Sequence, residues 1–451
     1  MNFWKKVLWI GVPVAVQNLI NTLLNMIDTF MISNLGQDFV SAVGLANKVF
    51  FVFNLLMFGI ISGASILTSQ YFGSQDENGL NKSLGFSLIL CTFGGVLFFV
   101  LTLTIPSQIL SLFTKDSNLI KIGAKYLQTV SLSYLTTAIS MCVTGFLKSI
   151  NKTRAPMLVT FSCLFINLFF NYMFIFGKFG APRLEVQGAA IGTVIARVVE
   201  ITLLVIIVIF CKKSFKLSVR NMTSFNRSFL MKIIKISYPV IINEFMWGLG
   251  TTIYSVIYGH ISSEVVAAMT ISATFQDLAW VFLIGISNAC AILVGNMLGA
   301  SLFDEAEKAA AKLLKAAVIF AAVLGITIYL TVDFYSALYT EITDLVRVYI
   351  KEVCLIYAIV LPFKAFNSTN ICGILRSGGD IMVCILLDVL GVWMIAIPGG
   401  LLAAFVFNLP IMWVYAFISL EEPIKMIFGY LRYKKKIWVR NVVAPELKVS
   451  K

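Results

Sequence analysis

Apolar stretches of about twenty residues or more follow one another along almost the whole chain, divided by short polar breaks. Each is long enough to cross a hydrocarbon core of about 30 Å as a helix rising about 1.5 Å per residue. Twelve spans are predicted, at 7–33, 42–69, 85–110, 120–147, 157–176, 187–211, 232–259, 265–294, 311–332, 345–375, 381–398 and 400–420. Lipid gives exposed backbone N–H and C=O groups no partner, so runs this long must close their hydrogen bonds within themselves as helices. The expected fold class is an all-α polytopic membrane protein.

The pattern also repeats. Residues 10–73 recur without a gap as residues 236–299, a constant shift of 226 that places Pro13 on Pro239, Gly59 on Gly285 and Gly73 on Gly299. Ile10, Ile27, Ala42 and Ile60 fall on Ile236, Ile253, Ala268 and Ile286, and the polar pair Gln17 and Asn18 on Asn243 and Glu244. About six spans fit into the shift, an even number, so both halves insert with the same orientation, as parallel repeats do. Two pseudo-symmetric six-helix bundles are therefore predicted: an amino-terminal lobe over 1–211, a basic linker over 212–231, a carboxy-terminal lobe over 232–420 and a basic tail over 421–451. A substrate path between the lobes is the expectation for such a duplication.

Composition agrees with a membrane protein. The 451 residues are 59% hydrophobic and only 13% charged, against roughly 25% charged in an average soluble domain. The basic start at Lys5 and Lys6 resembles a secretory leader, but its apolar run continues past Ile20 without a small-residue cleavage site and belongs to the repeat, which marks a retained first span.

The net charge of +13 is placed where insertion needs it. Lys212, Lys213, Lys216, Arg220, Arg227, Lys232 and Lys235 fill the linker, and Arg432, Lys434, Lys435, Lys436 and Arg440 the tail. By the positive-inside rule both face the cytoplasm, and with twelve spans so do both termini, in a cell (inner) membrane. No recognition motif accompanies these residues, so no nucleic-acid partner is expected. Residues 421–440, EEPIKMIFGYLRYKKKIWVR, alternate basic and aromatic positions as a helix lying on an anionic leaflet would.

Catalytic chemistry has little to build on. Eight cysteines, Cys91, Cys142, Cys163, Cys211, Cys290, Cys354, Cys372 and Cys384, stand singly in apolar spans, without disulfide or metal-ligand spacing. The single histidine, His260, is at the outer end of the seventh span, so no His-based triad or zinc cluster assembles. Neither an enzyme nor a cofactor is expected.

Polar groups inside spans are costly and mark ion or substrate paths. Asp28 lies about six residues below the outer end of the first span, roughly 9 Å deep. Asn167 and Asn171 share a face of the fifth span through their i, i+4 spacing, and Thr193 lies at a similar level of the sixth. A carboxylate surrounded by amide and hydroxyl oxygens suits a proton or a hard monovalent cation, and the residues alone leave that choice open. The alternative is a buried acid bonded to Asn171 to lock helix packing. The second half does not copy the acid, because Asp28 maps onto Tyr254. Glu244 beside Asn243, Asp277 in the eighth span and Asp388 in the eleventh are the candidates there for a second ion or a cationic substrate, with pairing to Arg376 or to backbone groups as the structural alternative for the two aspartates.

Several motifs resemble the multidrug and toxic compound extrusion (MATE) family, within the wider group that includes lipid-linked oligosaccharide flippases. They are Pro13, Gln17 and Asp28 in the first span, SQYFG at 69–73, TGFLKS at 144–149, PVIINE at 239–244, VGNMLGA at 294–300 and GILRSGGD at 373–380, followed by Asp388 and Trp393. The resemblance covers essentially everything before the tail. It implies alternating-access export of organic cations, drugs or toxic compounds in exchange for H+ or Na+; the expected partners are amphiphilic or cationic small molecules and the lipid bilayer, and the expected state is a monomer. It also implies that Asp28, Asn167 and Asn171, with Gln17 and Thr193 nearby, are the coupling site and that Glu244 is the polar position of the seventh helix. Asn171 departs from relatives that carry a second acid there. A flippase for a lipid-linked precursor is the alternative; a major-facilitator transporter is disfavoured because GSQDENGLNK after the second span lacks that family's acidic and arginine-rich signature. A membrane prenyl transferase would need clustered aspartates that no span supplies.

Overall fold

The computed structural model describes residues 2–210, 216–337, 339 and 342–444. Cys211, the first part of the basic linker (212–215) and the end of the tail (445–451) lie outside the described residues.

Among the described residues, twelve long helices carry the fold. They are α1 (Phe3–Ser33), α2 (Gln37–Gly73), α3 (Glu77–Thr104), α4 (Ser117–Ser149), α5 (Arg154–Phe176), α6 (Glu185–Phe210), α7 (Arg227–Ile261), α8 (Ser263–Gly299) and α9 (Phe303–Ser336). The tenth, α10 (Asp344–Asn367), runs on as a π-helical stretch, Ser368–Leu375. The eleventh, α11 (Ile381–Val406), includes π-helical turns at Gly391–Ala396 and Leu402–Val406. The twelfth, α12, consists of Ile411–Ser419 and Glu421–Lys434 meeting at Leu420. Pro423 has no N–H to give the Ser419 carbonyl one turn back, which accounts for the irregular joint.

Local chemistry sets many of the starts. Asp76 caps α3 by accepting from Gly79 N, Asp116 caps α4 through Asn118 N and Leu119 N, and Ser262 and Thr343 cap α8 and α10. The duplication seen in the sequence is visible in these boundaries: α2 and α8 start and stop 226 residues apart, and so do the first residues of α3 and α9, and of α6 and α12.

That last correspondence corrects the sequence reading. A break near 399 and a twelfth span at 400–420 are the expectation from the apolar runs. The π-helical turns absorb Pro398 at the start of a helical segment, and α11 continues to Val406. The chain turns instead at Phe407–Pro410, with Asn408 in the left-handed region (φ 50). The expected surface helix at 421–440 is corrected too. Glu421–Lys434 is the second half of α12, with Glu421, Glu422, Lys425 and Gly429 buried, and Trp438 beyond it is 1% exposed.

Among the described residues, ten helices are long and apolar enough to cross a membrane. The two outside that set are α10, with Asp344, Arg347, Lys351, Glu352 and Lys364, and α12, with Glu421, Glu422 and Lys425.

Packing divides the chain into two compact units. One comprises Val16–Thr68 and Asp76–Ile241. Its core is built on Phe53, Met57, Leu127, Tyr134 and Ala138, with Phe53 and Tyr134 rings edge to face at 5.1 Å. The described part of the linker packs here: Asn81 Nδ2 donates to the Lys216 carbonyl, Asn81 Oδ1 accepts from Ser218 N, and Phe225 and Phe229 meet Phe86. The other unit comprises Met1–Ala15, Ser69–Gln75 and Ile242–Lys451. Its core includes Ala317, Ile350, Val353, Tyr357 and Val414, and a second cluster joins Ile10 to Cys290, Leu298, Leu375 and Trp438.

In that second unit the end of α12 and the segment after it are strapped down. Arg432 forms a bidentate pair with Asp380, at 2.6 and 2.9 Å. Trp438 stacks on Tyr433, and Gln70 accepts from Val442 N at 2.7 Å while donating to the Ser377 carbonyl.

Candidate functional site

The polar residues of the first unit meet on α1, α5 and α6. Asn167 and Asn171 lie one turn apart on the buried face of α5, 3% and 0% exposed. Asn171 Nδ2 donates to Asp28 Oδ1 at 2.7 Å and to Asn167 Oδ1 at 3.0 Å. Asn167 Nδ2 reaches Thr193 Oγ1 at 3.5 Å, a weak bond by length, and Thr193 donates to the Ala189 carbonyl. Asp28, Asn171, Asn167 and Thr193 therefore form one line of contacts across three helices. Asn171 Oδ1 is buried without a hydrogen-bond partner, an acceptor held ready in an apolar surrounding.

Gln17 is placed apart from that line. Its Nε2 donates to Thr160 Oγ1 at 3.0 Å, and its Oε1 is buried without a hydrogen-bond partner. Beside both groups a small cavity is lined by Asn21, Thr160, Asn167, Thr193, Arg197 and Glu200, with room for about one water-sized particle. Arg197 Nη1 and Glu200 Oε2 are 2.6 Å apart. The sequence reading passed over these two, although an arginine and a glutamate one turn apart inside an apolar helix were a usable signal.

Close packing fixes Asn171. A methyl group at Gly192 would overlap the Asn171 side-chain oxygen. Gly192→Ala is expected to push Asn171 off Asp28 and so to impair any function of this line far more than an alanine at an open position such as Gly44, which has free space around it. Side-by-side transport assays of the two variants at matched expression check this.

The second unit gathers its charges on α7, α10, α11 and α12. Arg376, 4% exposed, pairs through Nη1 with Glu244 Oε1 at 3.0 Å and through Nη2 with Asp388 Oδ2 at 3.6 Å. Asn243 Nδ2 donates to Asp388 Oδ2 at 3.1 Å. Glu244, Asn243 and Asp388 are thus brought together, with Arg376 between the two acids. Asp277 is not: it stands exposed on α8. Tyr254, at the repeat position of Asp28, donates to Glu421 Oε1 at 3.4 Å. Glu421 and Glu422 both pair with Lys425, at 3.3 and 3.7 Å, and Asn367 Nδ2 donates to Glu422 Oε2 at 2.8 Å. Sequence reasoning missed this group because it assigned these three charged residues to the tail.

Two bundles of related helices, each with a polar centre drawn from several of them, define a membrane transporter built by duplication. The MatE family profile matches residues 13–173 and 239–402, stretches that begin 226 residues apart. The chain belongs to the MATE family of transporters. Among curated proteins it is 25% identical over 429 residues to a probable multidrug resistance protein NorM of Thermotoga maritima, covering 94% of this chain and 91% of that one. It is also 25% identical over 441 residues to the uncharacterized transporter YisQ of Bacillus subtilis, covering 96% and 94%. Among solved structures, the outward-facing conformation of a multidrug resistance MATE family transporter of the MOP superfamily superposes with a TM-score of 0.88 at 18% identity, covering 97% of this chain and 96% of that one. A MOP superfamily transporter from Pyrococcus furiosus gives the same score, identity and coverage. The match in fold agrees with the all-α, twelve-helix architecture expected from the hydropathy pattern.

Proposed function

We propose that the chain is a cation-coupled antiporter that exports amphiphilic or cationic small molecules in exchange for H+ or Na+. The observation that carries this reading is the line Asp28–Asn171–Asn167–Thr193, an acid backed by buried amide and hydroxyl groups. The multidrug names of several relatives support the substrate class. An ion at Asp28 drives the cycle only to the extent that it binds one arrangement of the protein better than another, and a hundredfold preference shifts the balance by about 2.7 kcal/mol. Exchange of Asn171 contacts for ion contacts is the local event that supplies such a preference.

In this reading the protein acts as a monomer in the cell membrane with both termini in the cytoplasm. Its halves are the amino-terminal lobe, α1 to α6, and the carboxy-terminal lobe, α7 to α12, joined by the basic linker that begins at 212. Glu244 and Asp388 hold Arg376, and Asp277, exposed on α8, contributes to attracting cationic substrate.

Efflux of a fluorescent organic cation from cells expressing the chain, under imposed proton or sodium gradients, tests the proposal. Efflux driven by one of the gradients and lost in Asp28→Asn is the expected result. Well-expressed protein that moves no dye under either gradient overturns drug export and directs attention to a lipid-linked substrate.

A further inference from the structure

Lys308, Lys312 and Lys315 recur at i, i+4 and i+7, so they share one face of α9, and all three are exposed. The same line continues through Ile319, Val323, Ile326 and Leu330, which are 65%, 59%, 61% and 74% exposed. One helix face therefore changes from lysine to aliphatic between residues 315 and 319. At about 1.5 Å per residue the lysines span roughly 10 Å and the aliphatic residues roughly 16 Å. The second length matches one leaflet of a hydrocarbon core about 30 Å thick, and the first covers a headgroup layer of about 5–8 Å. Asp304 and Glu305 stand further out, in the first turn of α9, and Glu307 pairs with Lys436. Among the described residues none of the three lysines forms an ion pair.

Positive-inside placement alone does not produce this line. Parallel repeats share one orientation, yet the corresponding positions of α3 are Lys82, Phe86 and Ile89. There the chain fills the place itself: Phe86 meets Phe225 and Phe229 edge to face, with ring centres 5.9 and 6.4 Å apart. The repeat counterpart of Phe229 is Phe3, and over its ring stands the Lys312 ammonium, 5.3 Å from the ring centre. Phe3 packs in one cluster with Val7, Ile10, Leu313 and Leu314, so the start of α1 lies against α9. Lys6, half-buried, is one turn from Phe3 on the same side of α1, and Trp4 and Trp9 are exposed nearby. Indole rings favour the boundary between membrane and water.

We propose that the seam between α1 and α9 binds one anionic phospholipid, its phosphate held by Lys6, Lys308, Lys312 and Lys315 and an acyl chain lying along Ile319, Val323, Ile326 and Leu330. In the orientation proposed above, the lipid belongs to the cytoplasmic leaflet. The site is independent of the coupling ion and of the exported substrate.

The test is native mass spectrometry of the full chain released from micelles supplied with dioleoyl phosphatidylglycerol or dioleoyl phosphatidylcholine, lipids that share their acyl chains and differ in net charge. The expected result is one phosphatidylglycerol per chain, retained about tenfold or more better than phosphatidylcholine. A lysine near an anionic headgroup contributes about fivefold, so Lys312→Gln should weaken retention by about that factor. Adding Lys308→Gln and Lys315→Gln should remove the preference, and glutamine at these exposed positions keeps the helix. Removing three charges elsewhere, by Lys216→Gln, Arg220→Gln and Arg227→Gln together, should leave the preference intact. Equal retention of the two lipids by the parent protein overturns the proposal. So does a preference that survives in the α9 triple variant, or one that the linker triple variant loses equally. Glycerol phosphate in large excess should fail to displace the bound lipid; displacement would reveal a site for free phosphate instead and would also overturn the proposal.

Discussion

Arg376→Leu will lower the unfolding stability of the detergent-solubilised protein by roughly 3–5 kcal/mol, the cost of removing one partner from a buried ionic group. Arg376 is 4% exposed and holds two acids at once, Glu244 at 3.0 Å and Asp388 at 3.6 Å. Without the guanidinium, two carboxylates face each other in a medium that solvates neither. The loss therefore comes less from the attraction removed than from the charge left behind. Replacing Glu244, Asp388 and Arg376 together by apolar residues of similar volume should recover most of the deficit, because desolvation of the triad nearly cancels its internal attraction. Thermal or denaturant unfolding of the single and triple variants checks both statements. A triple variant as unstable as Arg376→Leu would mean that the triad adds net stability through its geometry.

Trp438→Ala should cost a comparable amount, about 3–5 kcal/mol, as expected for emptying a buried aromatic site. The ring is 1% exposed in a cluster with Leu298, Leu375 and Cys290, and it stacks on Tyr433 at a centroid distance of 5.8 Å. The backbone here is packed as closely as the ring, since a side chain at Gly378 would overlap the Trp438 carbonyl. Neighbouring bonds depend on the same placement: Arg440 Nε donates to the Gly378 carbonyl at 2.7 Å, and Val442 N to Gln70 Oε1 at 2.7 Å. Loss of the indole should therefore also expose the segment after Lys434 to proteolysis, so limited digestion supplies a second measurement. A Trp438→Ala protein that unfolds like the parent and resists cleavage would show that the strap is held by its polar bonds alone.

Much of this architecture was legible in the sequence because the hydrophobic pattern and the repeat constrain each other. The shift of 226 that aligns Pro13 with Pro239 also relates both ends of α2 and α8. The level of Asp28, Asn167, Asn171 and Thr193, inferred from helix rise alone, brought together residues that the structure joins by hydrogen bonds or a contact of 3.5 Å.

Two features escaped for physical reasons. Pro398 and Gly399 are the usual punctuation and point to a break between α11 and α12 at that place, but a π-helical turn tolerates a proline that an α-helix interior would reject. Extending the repeat from Glu185 to Ile411 would have located it. The charged half of α12 reads as a tail because a hydropathy count registers Glu421, Glu422 and Lys425 as three separate charges. In the folded protein they compensate one another at 3.3 and 3.7 Å. Arg197 and Glu200 escaped for the opposite reason: a paired arginine and glutamate barely disturb an apolar average.

The π-helical turns of α11 separate two quantities that membrane arguments usually treat as one. The repeat counterpart of α11 is α5, which has 23 residues against 26 in α11. Wider turns take up more residues per unit of height, so the extra three need not make α11 taller. A bilayer responds to height, and hydrophobic mismatch is felt in ångströms rather than in residues. A residue inserted into or deleted from α11 near Gly391–Ala396 therefore has a local outlet, a change in winding. The same change in α5, which is α-helical throughout, would rotate the face that presents Asn167 and Asn171 by about 100°.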